Sequence, residues 1–195
     1  GFNNNEYFFT YDDNNIKMTY LLDINEDEIL KAIKLNITYN NLNYKFIIFT
    51  GGLQLLLNNT YIDTWNFNNL TRKLINYSLE NYKAKIVSNY SLGNDSVIVT
   101  YNVWISGKTL KINVSSDIPK VTKIQYAYSG NEPPNVFIVP KITYNSDYIR
   151  LIFKKGDFFI SAYNDFNLSQ SSHLNYNNPS IVNTYQINPN SDVRY

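Results

Sequence analysis

The chain has 195 residues, a formal net charge of +1 and no cysteine. Its length suits one domain of ordinary size, and an apolar fraction of 44% is sufficient to bury a core. The absence of cysteine excludes disulfides, thiolate catalysis and cysteine-ligated metal sites, and the near-neutral charge argues against a nucleic-acid partner. No apolar run approaches the ~18 residues of a membrane span, so we expect none.

The composition is unusual in its neutral polar residues. Asparagine occurs 32 times and tyrosine 18 times, while the charged fraction of 17% is below the usual value of about 25%. AT-rich coding explains much of the asparagine, but the resulting surface also changes little with pH. The chain begins at Gly1, and its first residues lack the charged and apolar regions of a signal peptide, as after removal of one. We therefore expect an extracellular, cell-surface protein of an archaeon or bacterium.

Alternation of apolar and polar residues with period two predicts strands through most of the chain. Residues 7–11 and 16–24 alternate on either side of a turn at residues 12–15, which are aspartate and asparagine. Two further hairpins are predicted, one with Gly107 supplying a positive φ and one around residues 154–157. Other predicted strands are at residues 35–39, 97–105, 110–114, 136–138, 149–153, 158–160 and 181–187.

One stretch departs from this alternation. Phe67, Leu70, Leu74, Tyr77 and Asn81 follow one another at steps of three and four residues, which predicts a short helix near residues 68–82. Residues 26–34 could form a second helix, although their end could equally begin a strand. The chain is thus predicted to be all-β, a sandwich of mostly antiparallel strands with one short helix and an extended N-terminal strand.

No catalytic motif is present, so we predict no enzymatic activity and no cofactor. His173, the single histidine, lies in a polar stretch that predicts a solvated loop. Asp147, Asp157 and Asp165 form the one local group of carboxylates that could support glycoside hydrolysis. They flank the predicted hairpin turns, where aspartate commonly serves the turn itself.

Metal and phosphate sites are not predicted either. Asp12 and Asp13, like the acidic residues 26–28, lack the spacing of a calcium-binding EF-hand loop. Gly51 and Gly52 follow a strand without the lysine of a phosphate loop, which favours a tight turn.

The aromatic residues offer another possibility. Trp65 and Trp104, with the many tyrosines, could form a platform on which sugar rings stack. Trp104 lies on the face of its strand opposite Val103 and Ile105, so it is either exposed or covered by a second packed layer.

Eight Asn-X-Ser/Thr triplets occur, about twice the number expected from random placement of the 27 serine and threonine residues. Coding bias is one explanation, and N-linked glycosylation of an exported chain is the other. We predict N-linked glycans, with turn positions such as Asn58 and Asn94 modified most. The candidate sites are Asn36, Asn58, Asn69, Asn76, Asn89, Asn94, Asn113 and Asn167.

The N-terminal segment is strong strand material placed before the rest of the domain. Residues 1–14 are predicted to form an extended donor strand and residues 15–195 a single sandwich domain. Such a strand either pairs within its own sheet or adds to the sheet of a neighbouring molecule, and we predict the second arrangement. The predicted donor residues are Glu6, Tyr7, Phe8, Phe9, Thr10 and Tyr11.

Taken together, Gly1, the alternating N-terminal strand, the cysteine-free Asn/Tyr/Ile-rich chain and the triplets resemble the thread filament subunit of thermoacidophilic archaea such as Sulfolobus. The resemblance implies a pilin-like or immunoglobulin-like sandwich in a glycosylated, extracellular homopolymer used for adhesion. It also implies head-to-tail joining by donor-strand complementation, with residues 6–11 as the donor and itself as the partner.

Two other classes of protein stay open from the sequence. One is a secreted acid hydrolase, a protease or glycosidase. The other is a monomeric carbohydrate-binding or surface-layer domain.

Overall fold

The computed structural model describes residues 2–3, 6–25, 29–64, 68–80, 82–128, 136–138, 150–155, 158–163, 171–177 and 180–186. All regular elements in these ranges are β-strands, and every strand pair among them is antiparallel. The all-β, antiparallel prediction is therefore confirmed. The strands are β1 (Phe2–Asn3), β2 (Glu6–Asp13), β3 (Ile16–Asn25), β4 (Ile29–Tyr39), β5 (Leu42–Leu57), β6 (Thr60–Asp63), β7 (Thr71–Glu80), β8 (Lys83–Leu92), β9 (Asp95–Ser106), β10 (Thr109–Ser116), β11 (Val121–Tyr128), β12 (Val136–Ile138), β13 (Arg150–Lys155), β14 (Phe158–Tyr163), β15 (Ser171–Asn177) and β16 (Ser180–Gln186).

These strands form three sheets. The first sheet has nine strands in the order β1-β2-β3-β4-β5-β11-β16-β15, with β6 also paired to β5. The second sheet has the order β10-β9-β8-β7, and the third has the order β12-β13-β14. The ring of Phe158 in the third sheet meets Tyr44 edge to face, with ring centroids 4.7 Å apart, so this small sheet lies beside β5 of the first.

Asparagine makes two of the tight turns, at positions where glycine is common in other proteins. Asn40 and Asn41 join β4 to β5, and Asn58 and Asn59 join β5 to β6, all with φ between 48° and 63°. Left-handed φ at both turn positions matches the twist of a two-residue hairpin, and asparagine tolerates it better than most residues. Gly107 has φ 59° in the β9–β10 hairpin, as predicted. The second predicted hairpin is β13–β14, with Lys155 opposite Phe158.

The first and second sheets share one core. Leu22, Ile33 and Leu55 of the first sheet belong to the same cluster of buried side chains as Ile86 and Val99 of the second. Each of these side chains is almost completely removed from water. Burial of the two inner faces therefore provides the main stabilisation of both sheets.

The short helix predicted near residues 68–82 is wrong, because this stretch forms strand β7, Thr71–Glu80. β7 pairs with β8 and is the end strand of the second sheet. Most of its residues are exposed, which is the expected state of a strand at a sheet edge.

A β-bulge produced the spacing that suggested a helix. Between Leu74 and Asn76 the register with β8 shifts, which leaves Ile75 without a partner in that strand. Leu74 and Tyr77 are opposite the buried residues Ser88 and Ile86, so both point inward although they are three residues apart. In a regular strand every second residue points inward, so inward residues can be four positions apart. Where the unpaired bulge residue is inserted, two successive inward residues are three positions apart, and the two spacings together imitate a helix.

Two other local interpretations change in the structure. Of residues 26–34, those from 29 onward belong to strand β4, and residues 26–28 lie outside the described ranges. Gly51 and Gly52 lie inside β5 and do not form a tight turn. They mark the point where β5 stops pairing with β4, after Thr50, and begins pairing with β11. Glycine inside a strand commonly occurs where the strand bends or where another backbone approaches closely.

Candidate functional site

Strand β2, the predicted donor strand, pairs with β3 of its own chain. Tyr7 lies opposite Leu22 and Phe9 opposite Tyr20. Tyr7 is 9% exposed and Phe9 is 6% exposed, and both belong to the core of the same chain. The prediction that residues 1 to about 11 do not pack in their own subunit is therefore wrong for the isolated chain.

The physical reason is the shortness of the connection. Only Asn14 and Asn15 separate β2 from β3, and a strand joined to the next by a two-residue turn finds its nearest partner in that strand. Donation of β2 to a neighbouring copy, and the division of the chain at residue 14, stay predictions.

Asp13 holds this turn and connects it to the second sheet. Its Oδ1 accepts hydrogen bonds from the backbone N–H groups of Asn15 and Ile16, each at 3.1 Å. Its Oδ2 accepts one from the Tyr11 hydroxyl at 3.2 Å and lies 3.4 Å from Lys108 Nζ in the β9–β10 turn. These contacts, led by the Asn15 N–H, lower the pKa of Asp13. The predicted turn aspartate is thus a structural residue.

The tyrosines of β2 and β3 contact the second sheet. The Tyr7 ring meets Tyr77 of β7 edge to face, with centroids 5.9 Å apart. The Tyr20 hydroxyl donates a hydrogen bond of 2.7 Å to the Lys108 carbonyl oxygen. Burial raises the pKa of Tyr20 to about 12, because a phenolate would lose its hydration there.

A buried polar cluster lies in the same core, on strands β7, β8 and β9 of the second sheet. The hydroxyls of Tyr90 and Tyr101 are 2.8 Å apart inside the core. The Arg72 guanidinium donates hydrogen bonds to the carbonyl oxygens of Thr64 and Leu70 and lies close enough to Tyr90 to favour its ionised form. Burial outweighs that effect and raises the pKa of Tyr90 to about 12.

Sequence reasoning missed this cluster. The alternation of β9 already placed Tyr101 on the same face as Val99 and Val103, so it pointed to a buried hydroxyl in need of a partner. Because residues 68–82 were expected to form a helix, the sequence did not predict the position of Arg72, which lies on β7. The described residues also leave the buried Oγ of Ser88 without a hydrogen-bond partner.

Four of the eight triplet asparagines are exposed at the surface. Asn58, Asn69, Asn76 and Asn94 are exposed, whereas Asn36, Asn89 and Asn113 are half-buried on strands. Asn58 also ties two turns together, because its Nδ2 donates to the Leu92 carbonyl oxygen at 3.0 Å. Asn167 lies outside the described residues.

The other candidate residues are not brought together. His173 lies in strand β15 opposite Thr184, so the loop prediction is wrong; pairing with β16 turns a polar stretch into an end strand. Trp104 is half-buried on β9. Within the described residues, no group of three or more histidine, aspartate or glutamate side chains could hold a metal ion. Residues outside the described ranges include Trp65, Asp147, Asp157, Asp165 and the acidic residues 26–28.

No protein family, curated protein or solved structure matches this chain. In the part of the chain that the structure describes, no helix is long and apolar enough to cross a membrane.

Proposed function

We propose that the chain is a non-enzymatic structural subunit of an extracellular, N-glycosylated filament that serves surface attachment. The first and second sheets pack face to face as a sandwich, and copies of the chain join by exchange of strand β2. The observation that carries this proposal is the position of β2 near the end of the first sheet, where β3 pairs with it along its whole length and the short strand β1 lies outside it.

Three groups of contacts support the sandwich. The two sheets contribute to one buried cluster, and Tyr7 and Tyr20 reach from the first sheet to the second. At the opposite end, the backbone N–H of Asn58 donates a hydrogen bond of 2.8 Å to the carboxylate of Asp95, the first residue of β9. Asp95 also pairs with Lys120, which lies next to β11 of the first sheet.

The place of β2 in the first sheet supports strand exchange. On one side β2 pairs with β3 along its whole length, and on the other, within the described residues, only the two residues of β1 pair with it. A second copy's β2 could make every one of these contacts, so exchange costs little once the Asn14-Asn15 turn opens. Burial of Tyr7 and Phe9 in the neighbouring copy would recover the roughly 1.5–3 kcal/mol per side chain that is lost when β2 leaves its own core.

The test is an engineered disulfide between β2 and β3. Thr10 and Thr19 are directly opposite, on the outer face of the sheet, and such a pair has Cβ atoms about 4.5–5.5 Å apart, close to disulfide geometry. Because the chain has no other cysteine, every disulfide of a Thr10→Cys/Thr19→Cys variant involves these two positions, either within one chain or between copies. After assembly and oxidation, we expect a ladder of covalently joined chains on a denaturing gel without reductant.

Thr10→Cys alone is the matched control and should give no ladder, because the residue opposite it is then threonine. If the oxidised double variant in the assembled material runs only as internally bridged single chains, exchange of β2 is wrong and copies do not join through it.

A further prediction concerns which asparagines carry glycans. Asn94 is exposed at a turn, whereas Asn89 is half-buried in a central strand with its Oδ1 buried. We expect high occupancy at Asn94 and no modification at Asn89, since a glycan needs room around the side-chain amide. Site-resolved mass spectrometry of glycopeptides from the native protein measures both. An unmodified Asn94, or a modified Asn89, would contradict this.

A further inference from the structure

The strand registers define which side chains are neighbours on the outer face of the second sheet. Val99, Tyr101 and Val103 of β9 are buried, so the residues between them point away from the core. Cross-strand pairing then places Trp104 between Lys83 of β8 and Lys111 of β10. The next outward row consists of Lys85, Asn102 and Asn113. We call these six residues the Trp104 patch.

The lysines of this patch differ from most other described lysines. Lys17, Lys34, Lys108 and Lys120 each pair with an aspartate. Lys83, Lys85 and Lys111 are exposed, and none has a carboxylate within salt-bridge distance among the described residues. Glu80 of β7 lies across from Lys83 but forms no ion pair with it. The patch is therefore positive in a chain whose net charge is only +1.

The patch is also open on the outside. Among the described residues, the side chains of Lys83, Lys85 and Lys111 are exposed, and Tyr7 of β2 contacts Tyr77 of β7 on the core side of the sheet. Trp104 is half-buried, so part of the indole still faces solvent. A flat sheet face with an indole at its centre, amides beside it and cations at both flanks suits an elongated, anionic and partly apolar ligand.

We propose that the Trp104 patch binds an anionic polysaccharide. The C–H face of a sugar ring packs on the indole of Trp104, and the amides of Asn102 and Asn113 hydrogen-bond its hydroxyls. Lys83 and Lys111 are two strand spacings apart, about 9–10 Å, so each can meet an acidic group on either side of the stacked ring. The shared chemistry is a repeated carboxylate or sulfate on a sugar chain.

Nucleic acid is the competing ligand, since it also combines rings with anions. Binding of its phosphate backbone rests on a strong positive field, and the net charge of +1 does not supply one. Single-stranded DNA is therefore an arm of the test.

The experiment measures binding of the full chain. Asn113 is half-buried on its strand like Asn89, so we expect it to be unmodified, and production in a host without N-glycosylation ensures that its amide is free. The probes are polygalacturonate, dextran sulfate, uncharged dextran and oligo(dT), each at low and at physiological salt. We expect polygalacturonate or dextran sulfate to bind, the binding to weaken with salt, and dextran to bind at least ten-fold more weakly. Which of the two anionic probes binds more tightly distinguishes carboxylate from sulfate recognition.

Two variants locate the site. Trp104→Ala should weaken binding roughly five- to ten-fold, and Trp104→Phe should retain most of it. Lys83→Gln/Lys111→Gln should weaken binding about ten-fold at low salt and remove most of the salt dependence. Lys17→Gln/Lys45→Gln is the matched control, because it removes the same charge from the first sheet.

Several results would overturn the proposal. One is that the Lys83/Lys111 and the Lys17/Lys45 variants lose the same affinity. The others are that oligo(dT) binds as tightly as the anionic polysaccharides, or that uncharged dextran does so. The lysine variants alter exposed side chains and should fold normally, so they decide the outcome even if Trp104→Ala does not fold.

Discussion

Replacing Phe9 with alanine should destabilise the chain by about 3–5 kcal/mol, which is the usual cost of deleting a buried phenylalanine ring. Phe9 is 6% exposed, lies opposite Tyr20 and belongs to the main core. The loss combines the burial of the ring with the cavity that it leaves. The measurement is the free energy of unfolding from urea denaturation, with an unchanged slope showing that the two-state transition is preserved.

Phe8→Ala is the matched control for this experiment. Phe8 is the preceding residue of the same strand, is 39% exposed and lies opposite Leu21 on the outer face. Loss of that cross-strand contact should cost no more than about 1 kcal/mol. A larger loss for Phe8 than for Phe9 would mean that β2 pairs one residue out of register, because such a slip exchanges the two faces.

The second large effect is a loss of stability in alkaline solution. The pKa values of Tyr20 and Tyr90 are each raised by burial to about 12, against an ordinary value of 10.0. Below pH 10 both phenols are neutral in the folded and unfolded chain, so their contribution is fully present. Between pH 10 and pH 12 the unfolded chain ionises first, and each tyrosine should lower the free energy of unfolding by roughly 2–3 kcal/mol.

The comparison of two variants isolates the contribution of Tyr20 to this loss of stability. Tyr20→Phe should lose its hydrogen bond to Lys108 at neutral pH and should show a shallower decline between pH 10 and pH 12. Tyr61→Phe, at a position 63% exposed, is the matched control and should retain the slope of the parent chain. Urea denaturation at fixed pH values provides the slopes. An identical slope in Tyr20→Phe would show that the buried phenol does not drive the loss.

The alternation of apolar and polar residues predicted most of the strands correctly. Period-two alternation located β2, β3, β9 and β10, because the faces of a strand follow directly from the order of its residues. It failed at β7, where one unpaired residue, Ile75, reproduced helical spacing. A bulge depends on the pairing with β8, and that pairing is not visible in the order of residues 68–82 alone.

The candidate site was likewise predictable from the sequence only in part. The inward face of β2 was predictable from Tyr7, Phe9 and Tyr11, but the core that receives this face was not. The sequence favoured a neighbouring copy, whereas the short turn held by Asp13 places β2 beside β3 of the same chain. Trp104 was recognisable as an outward residue, but only the registers with β8 and β10 place it between two lysines.

The sequence by itself determined the strand-rich character, the asparagine turns and the absence of disulfides, since each depends on residue type or near neighbours in the chain. The tertiary structure alone decided the order of strands, the transfer of β5 from β4 to β11, and the meeting of Arg72 with Tyr90. These features join residues far apart in sequence. Their selection depends on which faces bury the most apolar surface together, and that is a property of the whole chain.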